Sequence, residues 1–340
     1  MREEIGEQPA VVARLAADLT PFREAAAAAR AAGVRFALFA ARGTSDNAAT
    51  YGLYLAGIHA GLPAGLAAPS VVTRYGATLA LEGTLVVGIS QSGETPDVAE
   101  FVARARDAGA VTVAITNDET STLAETAAHV LPTRAGKERA IAATKTYTSQ
   151  LAALALFFGA WADDDRLLSP MTGEIPSAME AAIGTEPRVT ALAERLATAD
   201  RLLVVGRGYG YPTALEAALK LAETAYVSAS PYSAADLQHG PIAIVEEGLP
   251  ALLFAAQGPT HEQLVELAGD LIQRGGDVAV VGPDPEAFPG TFTIPVPGVP
   301  EPLSPLVQVV PAQLLACSLA RLRGGDPDRP RGLSKITRTR

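Results

Sequence analysis

Cysteine and histidine are scarce in this sequence of 340 residues, which contains one cysteine, Cys317, and four histidines. A single cysteine cannot form an internal disulfide, which favours a reducing, cytoplasmic setting. Four scattered histidines argue against a transition-metal site. Cys317 lies in an apolar stretch that indicates a buried helix. We therefore expect neither a metal nor a cofactor.

Positive charge and long apolar runs are also in short supply. The formal net charge is −10, and a nucleic-acid backbone would be repelled by so acidic a protein. The apolar run over residues 151–162 is too short to cross a bilayer, and the charged N-terminus lacks the apolar core of a signal peptide. We expect a cytoplasmic protein that binds neither nucleic acid nor membranes, although a local loop can still bind a small anion.

Short apolar runs alternate with helical patterns along the chain. Residues 36–41, 84–90 and 111–115 resemble buried strands, and the first two are followed by a polar turn and a helical pattern. Strands that are apolar on both faces and alternate with helices are typical of a parallel sheet covered on each side. The predicted fold class is α/β.

The second half of the chain repeats the first. The pair Arg42-Gly43 recurs as Arg207-Gly208, 165 positions later, and residues 104–115 match residues 270–281 at an offset of 166. Two matches at nearly the same offset indicate an internal duplication, with two α/β domains of the same topology. The expected organisation is an N-terminal helical segment over residues 1–30, a first domain over 31–165, a linker over 166–190, a second domain over 191–325 and a C-terminal tail over 326–340.

One polar turn, residues 90–95 (SQSGET), is the most informative stretch. It ends a predicted strand and precedes a helix that Pro96 can start. Its hydroxyls and the free N–H groups of a helix start suit a phosphate, at the edge where open α/β sheets bind ligands. The alternative is that Ser and Thr only cap the helix. The equivalent turn of the second half, residues 256–260, lacks the serines, as expected if each chain has one phosphate site.

A predicted helix in the second half carries three charged residues on one face. Glu216, Lys220 and Glu223 are spaced by four and three positions. They could be a solvated stripe with a weak ion pair. Because the helix follows a strand and a Gly-rich turn, we expect its first turns at the carboxyl edge of the sheet. A carboxylate that moves a proton between adjacent sugar carbons needs a nearby cation, and Glu223 with Lys220 could supply both.

Two further residues have less distinctive surroundings. His239 is expected in a loop just before a strand, where a histidine could serve as an acid–base for ring opening, although a single histidine is more often structural. Lys335 lies in a basic tail, which by itself indicates only a solvated chain end.

Taken together, these motifs resemble the sugar isomerase (SIS) superfamily over essentially the whole chain. Within it, the chain closely resembles the isomerase half of glucosamine-6-phosphate synthases and the type II glucosamine-6-phosphate deaminases. The motifs that carry the resemblance are GTS at 43–45, SQSGETPD at 90–97, ITND at 115–118, AGKERAIAATKTYTSQL at 135–151, GRGYGYPTALEAALKLAE at 206–223, LQHGP at 237–241 and PRGLSKIT at 330–337.

The resemblance implies two tandem flavodoxin-like SIS domains and a role for each matching residue. It implies that Glu223 is the proton-transfer base, with Lys220 near the sugar. His239 would open the ring in the neighbouring subunit of a homodimer, and Lys335 would be a lid lysine. Glu216 and Ile141 are the remaining candidates for contact with the sugar. The residues that match the family's phosphate loop are Thr44, Ser45, Ser90, Gln91, Ser92 and Thr95.

The chain also departs from the synthase pattern. We expect no glutaminase activity, because the synthase's nucleophile is an N-terminal cysteine and Cys317 is the only cysteine here. The helix motif EAALKLAE lacks the synthase's Gly after the first Glu and its second Lys.

The function expected from these features is conversion of glucosamine-6-phosphate to fructose-6-phosphate and ammonia. Four alternatives stay open: action on galactosamine-6-phosphate, action on a fructosamine-6-phosphate, a glutaminase-less aminotransferase-like isomerase and, least favoured, a non-catalytic sugar-phosphate sensor.

Overall fold

The computed structural model describes residues 1–335. The helices are α1 (Arg2–Ala16), α2 (Thr20–Ala31), α3 (Thr44–His59), α4 (Pro69–Thr73), α5 (Pro96–Asp107), α6 (Thr122–Thr126), α7 (Lys145–Ala162), α8 (Asp165–Leu168), α9 (Glu174–Ile183), α10 (Glu186–Arg195), α11 (Gly210–Lys220), α12 (Ala234–Gln238), α13 (His261–Gln273) and α14 (Ser304–Leu322). The strands are β1 (Phe36–Ala40), β2 (Ala64–Leu66), β3 (Thr84–Ser90), β4 (Val111–Thr116), β5 (His129–Pro132), β6 (Arg201–Gly206), β7 (Ser228–Ser233), β8 (Pro250–Phe254), β9 (Asp277–Gly282) and β10 (Phe292–Pro295).

Over residues 1–335 the strands form two parallel five-stranded sheets with the same topology. The orders are β2-β1-β3-β4-β5 and, read in the same sense, β7-β6-β8-β9-β10. This is the flavodoxin-like order. The start of β1 precedes that of β6 by 165 positions, and the start of β4 precedes that of β9 by 166. The predicted α/β class and the duplication are confirmed.

The chain divides into two compact units, each containing one sheet. The first-sheet unit comprises Ala10–Glu138, Lys145–Gly173 and, among the described residues, Ser334 and Lys335. The second-sheet unit comprises Met1–Pro9, Arg139–Thr144 and Glu174–Leu333. Residues 166–190, expected as a linker, are largely helical in the structure. Where the domain boundaries fall stays a prediction.

The first-sheet unit is built around its central strand. Every residue of β3 is buried, and Val86 packs in one apolar cluster with Phe101 and Val102 of α5. Helix α7 is buried along nearly its whole length and packs against α2 and α3. Because β3 and α7 are buried on all sides, their sequences are largely apolar throughout and do not alternate between apolar and polar residues.

The core of the second-sheet unit is organised by α14, which packs against α9, α10 and α11. The predicted buried helix around Cys317 is confirmed, and burial raises the pKa of the Cys317 thiol. By length and hydropathy, residues Glu301–Leu322 could cross a membrane, but 94% of the most apolar window is buried within the protein. That burial is typical of a core helix.

One expected strand is absent from this unit as described. Residues Pro241–Ile244, which follow His239, form a 3-10 turn instead. Their apolar side chains are only partly buried or exposed, and β8 begins later, at Pro250. The prediction of a strand directly after His239 was wrong. A short apolar run forms a strand only where a neighbouring strand pairs with it, and the sequence of the run does not show such a partner.

The guanidinium of Arg323 joins three chain segments at the end of α14. It donates to the carbonyl oxygens of Ala197 and Ala225, each at 3.1 Å, and also to that of Ala199. Ala225 ends a π-helical segment, Leu221–Ala225, that continues α11. Arginine suits this position because its planar fork can satisfy several acceptors at once, which a lysine ammonium cannot do with the same geometry.

We therefore expect Arg323→Lys to lower the free energy of unfolding by about 2 kcal/mol, because charge-assisted hydrogen bonds to partly buried carbonyls are lost. Urea denaturation measures the change. Arg321→Lys is the matched control, since Arg321 is exposed two positions earlier, and its effect should stay within about 0.5 kcal/mol. Equal effects of the two variants would contradict the anchoring role of Arg323.

Candidate active site

The predicted phosphate residues lie at the topological switch point of the first sheet. β1 and β3 are neighbours in this sheet, although β2 lies between them in the chain. Thr44 and Ser45 begin the helix after β1, while residues 91–95 connect β3 to α5. In flavodoxin-like sheets, ligands bind outside the carboxyl ends of the strands where the strand order reverses. The two groups of predicted residues therefore meet at the edge where a ligand is expected.

The loop after β3 is organised by its own hydroxyls. The Ser90 and Thr95 hydroxyl oxygens are 2.9 Å apart, and the Gly93 N–H donates to Ser90 Oγ at 3.1 Å. The Glu94 N–H donates to Ser92 Oγ at 3.2 Å. In the described chain, the Thr95 side chain makes no capping bond to α5, whose first residue is Pro96. Helix capping by Thr95 therefore does not explain the hydroxyls of this turn.

Gly93 is required by both conformation and space. Its φ of +67° lies in the left-handed region, which costs a residue with a side chain roughly 1–2 kcal/mol. A Cβ at this position would also lie 1.9 Å from Ser121 Oγ. The loop can close tightly in front of α5 only because this residue has no side chain.

Polar contacts tie the two loops of this edge together. Arg42, just before the turn into α3, donates to Asp97 Oδ2 from Nε at 2.9 Å and from Nη2 at 2.6 Å. Asp97 is buried in the first turn of α5. Ser45 Oγ accepts from Gln150 Nε2 of α7 at 3.0 Å. In the sequence, Arg42 stands out only as part of the repeat, because nothing in the spacing reveals a partner 55 positions away.

The equivalent edge of the second sheet is occupied by one of the chain's own carboxylates. A Cβ at Gly258, which has φ +154°, would lie 2.4 Å from Glu301 Oε2. Burial raises the pKa of Glu301, partly offset by a hydrogen bond with Thr260. Burial and the Glu301 charge also raise the pKa of the Tyr209 phenol. This internal carboxylate provides a structural reason for expecting only one phosphate site.

The proposed acid–base residues form a buried ionic cluster in the second-sheet unit. The Lys220 side chain is 1% exposed, and its Nζ lies 3.6 Å from Glu216 Oε1 and in hydrogen-bonding contact with Glu223 Oε2. Glu216 is 0% exposed and Glu223 is 24% exposed. A solvated stripe is excluded by this burial. Glu223 is the carboxylate of this cluster that solvent can reach.

Glu223 lies on the π-helical segment Leu221–Ala225, and single π turns are frequent at functional sites. The Thr224 hydroxyl donates to the Lys220 carbonyl at 2.8 Å, and Tyr226 ends the segment with φ +58°. The start of α11 follows β6, whereas Lys220 is its last residue, roughly 15 Å further along the helix. We expected the first turns of this helix at the carboxyl edge of the sheet. The charged cluster lies at the opposite end of the helix.

The remaining predicted residues have different settings. His239 is exposed between α12 and the turn Pro241–Ile244. The Ile141 N–H donates to the carbonyl oxygen of Asp328 at 3.1 Å, within the second-sheet unit. Lys335 Nζ forms an ion pair with Glu138 Oε2 at 2.8 Å, within the first-sheet unit. Glu138 lies within the motif at 135–151, but its spacing in the sequence does not indicate this contact with Lys335. Among the described residues, no cluster of His, Cys, Asp and Glu is suited to hold a metal ion.

The two flavodoxin-like sheets and the hydroxyl-rich loop define a double SIS-domain protein. The SIS domain model matches residues 34–160 and 195–323. The chain therefore belongs to the SIS domain family, and the resemblance seen in its sequence is confirmed.

Individual relatives agree with this assignment. The isomerizing glutamine–fructose-6-phosphate aminotransferase of Methanothermobacter thermautotrophicus is 36% identical over 98% of this chain. A solved structure of a candidate phosphosugar isomerase from Silicibacter pomeroyi is 34% identical with a TM-score of 0.89, over 96% of this chain and 99% of that one. The C-terminal domain of glucosamine-fructose-6-phosphate aminotransferase from Francisella tularensis is 26% identical with a TM-score of 0.88, over 96% and 97%.

The chain spans 56% of the length of the Methanothermobacter relative and about half that of others. It is an enzyme of the SIS superfamily, similar to part of the length of these aminotransferases.

The loop geometry predicts that Ser92→Ala and Thr95→Ala weaken binding of glucose 6-phosphate, used as a probe. Each lost hydrogen bond to a charged phosphate should cost roughly 1.5–3 kcal/mol, or about ten- to a hundredfold in Kd. Isothermal titration calorimetry measures the affinity. Gln257→Ala and Thr260→Ala alter the equivalent turn of the second sheet and should leave Kd nearly unchanged. A larger loss in those two controls would assign the phosphate to the other sheet.

Proposed function

We propose that the chain is an amino-sugar phosphate deaminase that converts glucosamine-6-phosphate to fructose-6-phosphate and ammonia. The observation that carries the proposal is the cluster of Glu223, Lys220 and Glu216, in which one partly exposed carboxylate contacts a buried ammonium. The hydroxyl loop at residues 90–95 supplies the phosphate site, with Thr44 and Ser45 beside it. The names of the relatives support chemistry on hexose and hexosamine phosphates.

The proposed reaction is a proton transfer between neighbouring carbons. In the open-chain sugar, Glu223 removes the proton from C2, and the electrons shift to give an enolamine. Glu223 then returns a proton to C1, which leaves an imine at C2. Water adds to the imine and ammonia leaves, giving the ketose. Lys220 is a positive charge next to the base and can stabilise the developing negative charge on the sugar oxygen.

Glu216 has a supporting role in this scheme. Because it is fully buried and lies 3.6 Å from Lys220 Nζ, it neutralises the ammonium from the side away from Glu223. Glu216 therefore positions the lysine, and its direct contact with the sugar stays a prediction, as does that of Ile141. The same steps in reverse would join ammonia to fructose-6-phosphate, so the supply of ammonia sets the direction.

The proposal includes a homodimer in which His239 opens the sugar ring in the neighbouring subunit. His239 and the apolar Ile244 are both exposed in this segment, so both are accessible to a neighbouring subunit. No cofactor, metal, nucleic acid or membrane is part of the proposed reaction, and a cytoplasmic location fits it.

The central test is release of ammonia from a panel of amino-sugar 6-phosphates. Glucosamine-6-phosphate should be the best substrate, ahead of galactosamine-6-phosphate and fructosamine-6-phosphate. Glu223→Gln keeps the size of the side chain but removes its basicity, and should lower kcat by about 10²–10⁴-fold. Glu262→Gln, at an exposed glutamate of α13, is the matched control and should be unchanged. Full activity of Glu223→Gln would refute the proposed base.

Sharing of His239 across the dimer predicts complementation. His239→Ala and Glu223→Gln chains are each expected to be inactive. After mixing, unfolding and refolding, half of the dimers should be hybrids with one intact site, which restores roughly a quarter of the parental activity. Refolded parental chains provide the reference. Hybrids that are folded, dimeric and inactive would show that His239 acts within its own subunit or not at all.

A further inference from the structure

Glu138 is a buried carboxylate that the proposed reaction does not yet use. Its side chain is 0% exposed, and it lies in the irregular segment between β5 and α7, seven positions before the first residue of α7. Glu138 Oε1 accepts from the Thr146 N–H at 3.2 Å, and Oε2 accepts from the Thr146 hydroxyl at 2.7 Å. Oε2 also accepts from Lys335 Nζ at 2.8 Å, 197 positions later in the chain.

A buried carboxylate is costly unless its charge is compensated and its oxygens accept hydrogen bonds. Thr146 supplies two neutral donors from the first turn of α7, where the helix dipole also favours negative charge. The Lys335 ammonium supplies the positive charge. The two hydrogen bonds from Thr146 fix the position of the Glu138 carboxylate. This carboxylate can therefore hold the ammonium of Lys335, whose side chain is 26% exposed.

We propose that Glu138 is the positioning residue for Lys335: its carboxylate docks the ammonium and thereby fixes where the C-terminal lysine stands before substrate binds. This role rests on the proposed function, together with the lid role that the family resemblance implies for Lys335. Held by Glu138, the ammonium acts as a cation and hydrogen-bond donor, and this contact must break before the Lys335 nitrogen can attack a carbonyl.

If Glu138 had only a structural role, it would act through its hydrogen bonds with Thr146 and stabilise the start of α7 alone. The test must therefore report on the Lys335 amine itself. The sequence has four lysines, at positions 137, 145, 220 and 335, so amine acylation followed by peptide mass spectrometry resolves each one. Lys137 is exposed and serves as the reference, whereas Lys145 and Lys220 are buried and become labelled only if the protein unfolds.

In the parent protein, acetic anhydride at neutral pH should label Lys335 roughly tenfold more slowly than Lys137, the factor expected for one charge-assisted hydrogen bond. Glu138→Gln should raise the Lys335 rate towards that of Lys137 and leave Lys145 and Lys220 protected. Glu125→Gln, at an exposed glutamate of the same unit, should change none of the rates. Equal labelling of Lys335 and Lys137 in the folded parent would overturn the docking, whatever the variants do.

Activity separates the docking from the proposed function. Glu138→Gln should lower kcat with glucosamine-6-phosphate about tenfold or more while KM stays close to the parental value, because the phosphate loop is intact, and Glu138→Asp should restore part of kcat. Suppose that Lys335 is protected from labelling in the parent protein but Glu138→Gln keeps the parental kcat. This result would refute the positioning role and leave the proposed function standing. A parent with no activity on any amino-sugar phosphate would refute the proposed function without affecting the labelling result.

Discussion

The buried ammonium of Lys220 is the constraint around which the second-sheet unit is arranged. A charge removed from water is destabilising unless opposite charges and hydrogen bonds compensate it. Glu216 and Glu223 provide that compensation from the turns before and after the lysine, and the π-helical segment Leu221–Ala225 carries Glu223. Arg323 in turn binds the carbonyl oxygen of Ala225 at the end of this segment. The packing of α14 and the geometry of the charged cluster are thus physically linked.

The two copies of the duplicated fold have diverged at their carboxyl edges. In the first sheet, this edge carries the hydroxyls of Ser90, Ser92 and Thr95 around Gly93, and hydroxyls are groups that can donate to an anion. In the second sheet, Glu301 occupies the equivalent place. The second unit carries its buried ionic cluster at the far end of α11 instead. The duplicated topology therefore places different polar groups at two different positions on the domain.

Much of the fold could be predicted from local sequence. Strands β3 and β4 are largely apolar runs. The offset of 165–166 positions between the two copies of the internal repeat predicts the second sheet. The run after His239 was misjudged because a strand depends on a pairing partner that local sequence does not show. The contacts Glu138–Lys335 and Arg42–Asp97 could not be predicted either, since they join residues 197 and 55 positions apart. Burial of Glu216 and Lys220 likewise comes from the packing of α14 on α11 and not from the spacing of the charges.

The central claim is that Glu223 moves a proton between C1 and C2 of a sugar whose phosphate is bound elsewhere by the hydroxyl loop. Exchange of the C2 hydrogen of glucosamine-6-phosphate with heavy water, followed by NMR at saturating substrate, tests it most directly. The account predicts exchange in the parent and in Ser92→Ala once substrate is saturating, and none above background in Glu223→Gln. Exchange at the parental rate in Glu223→Gln would contradict the account.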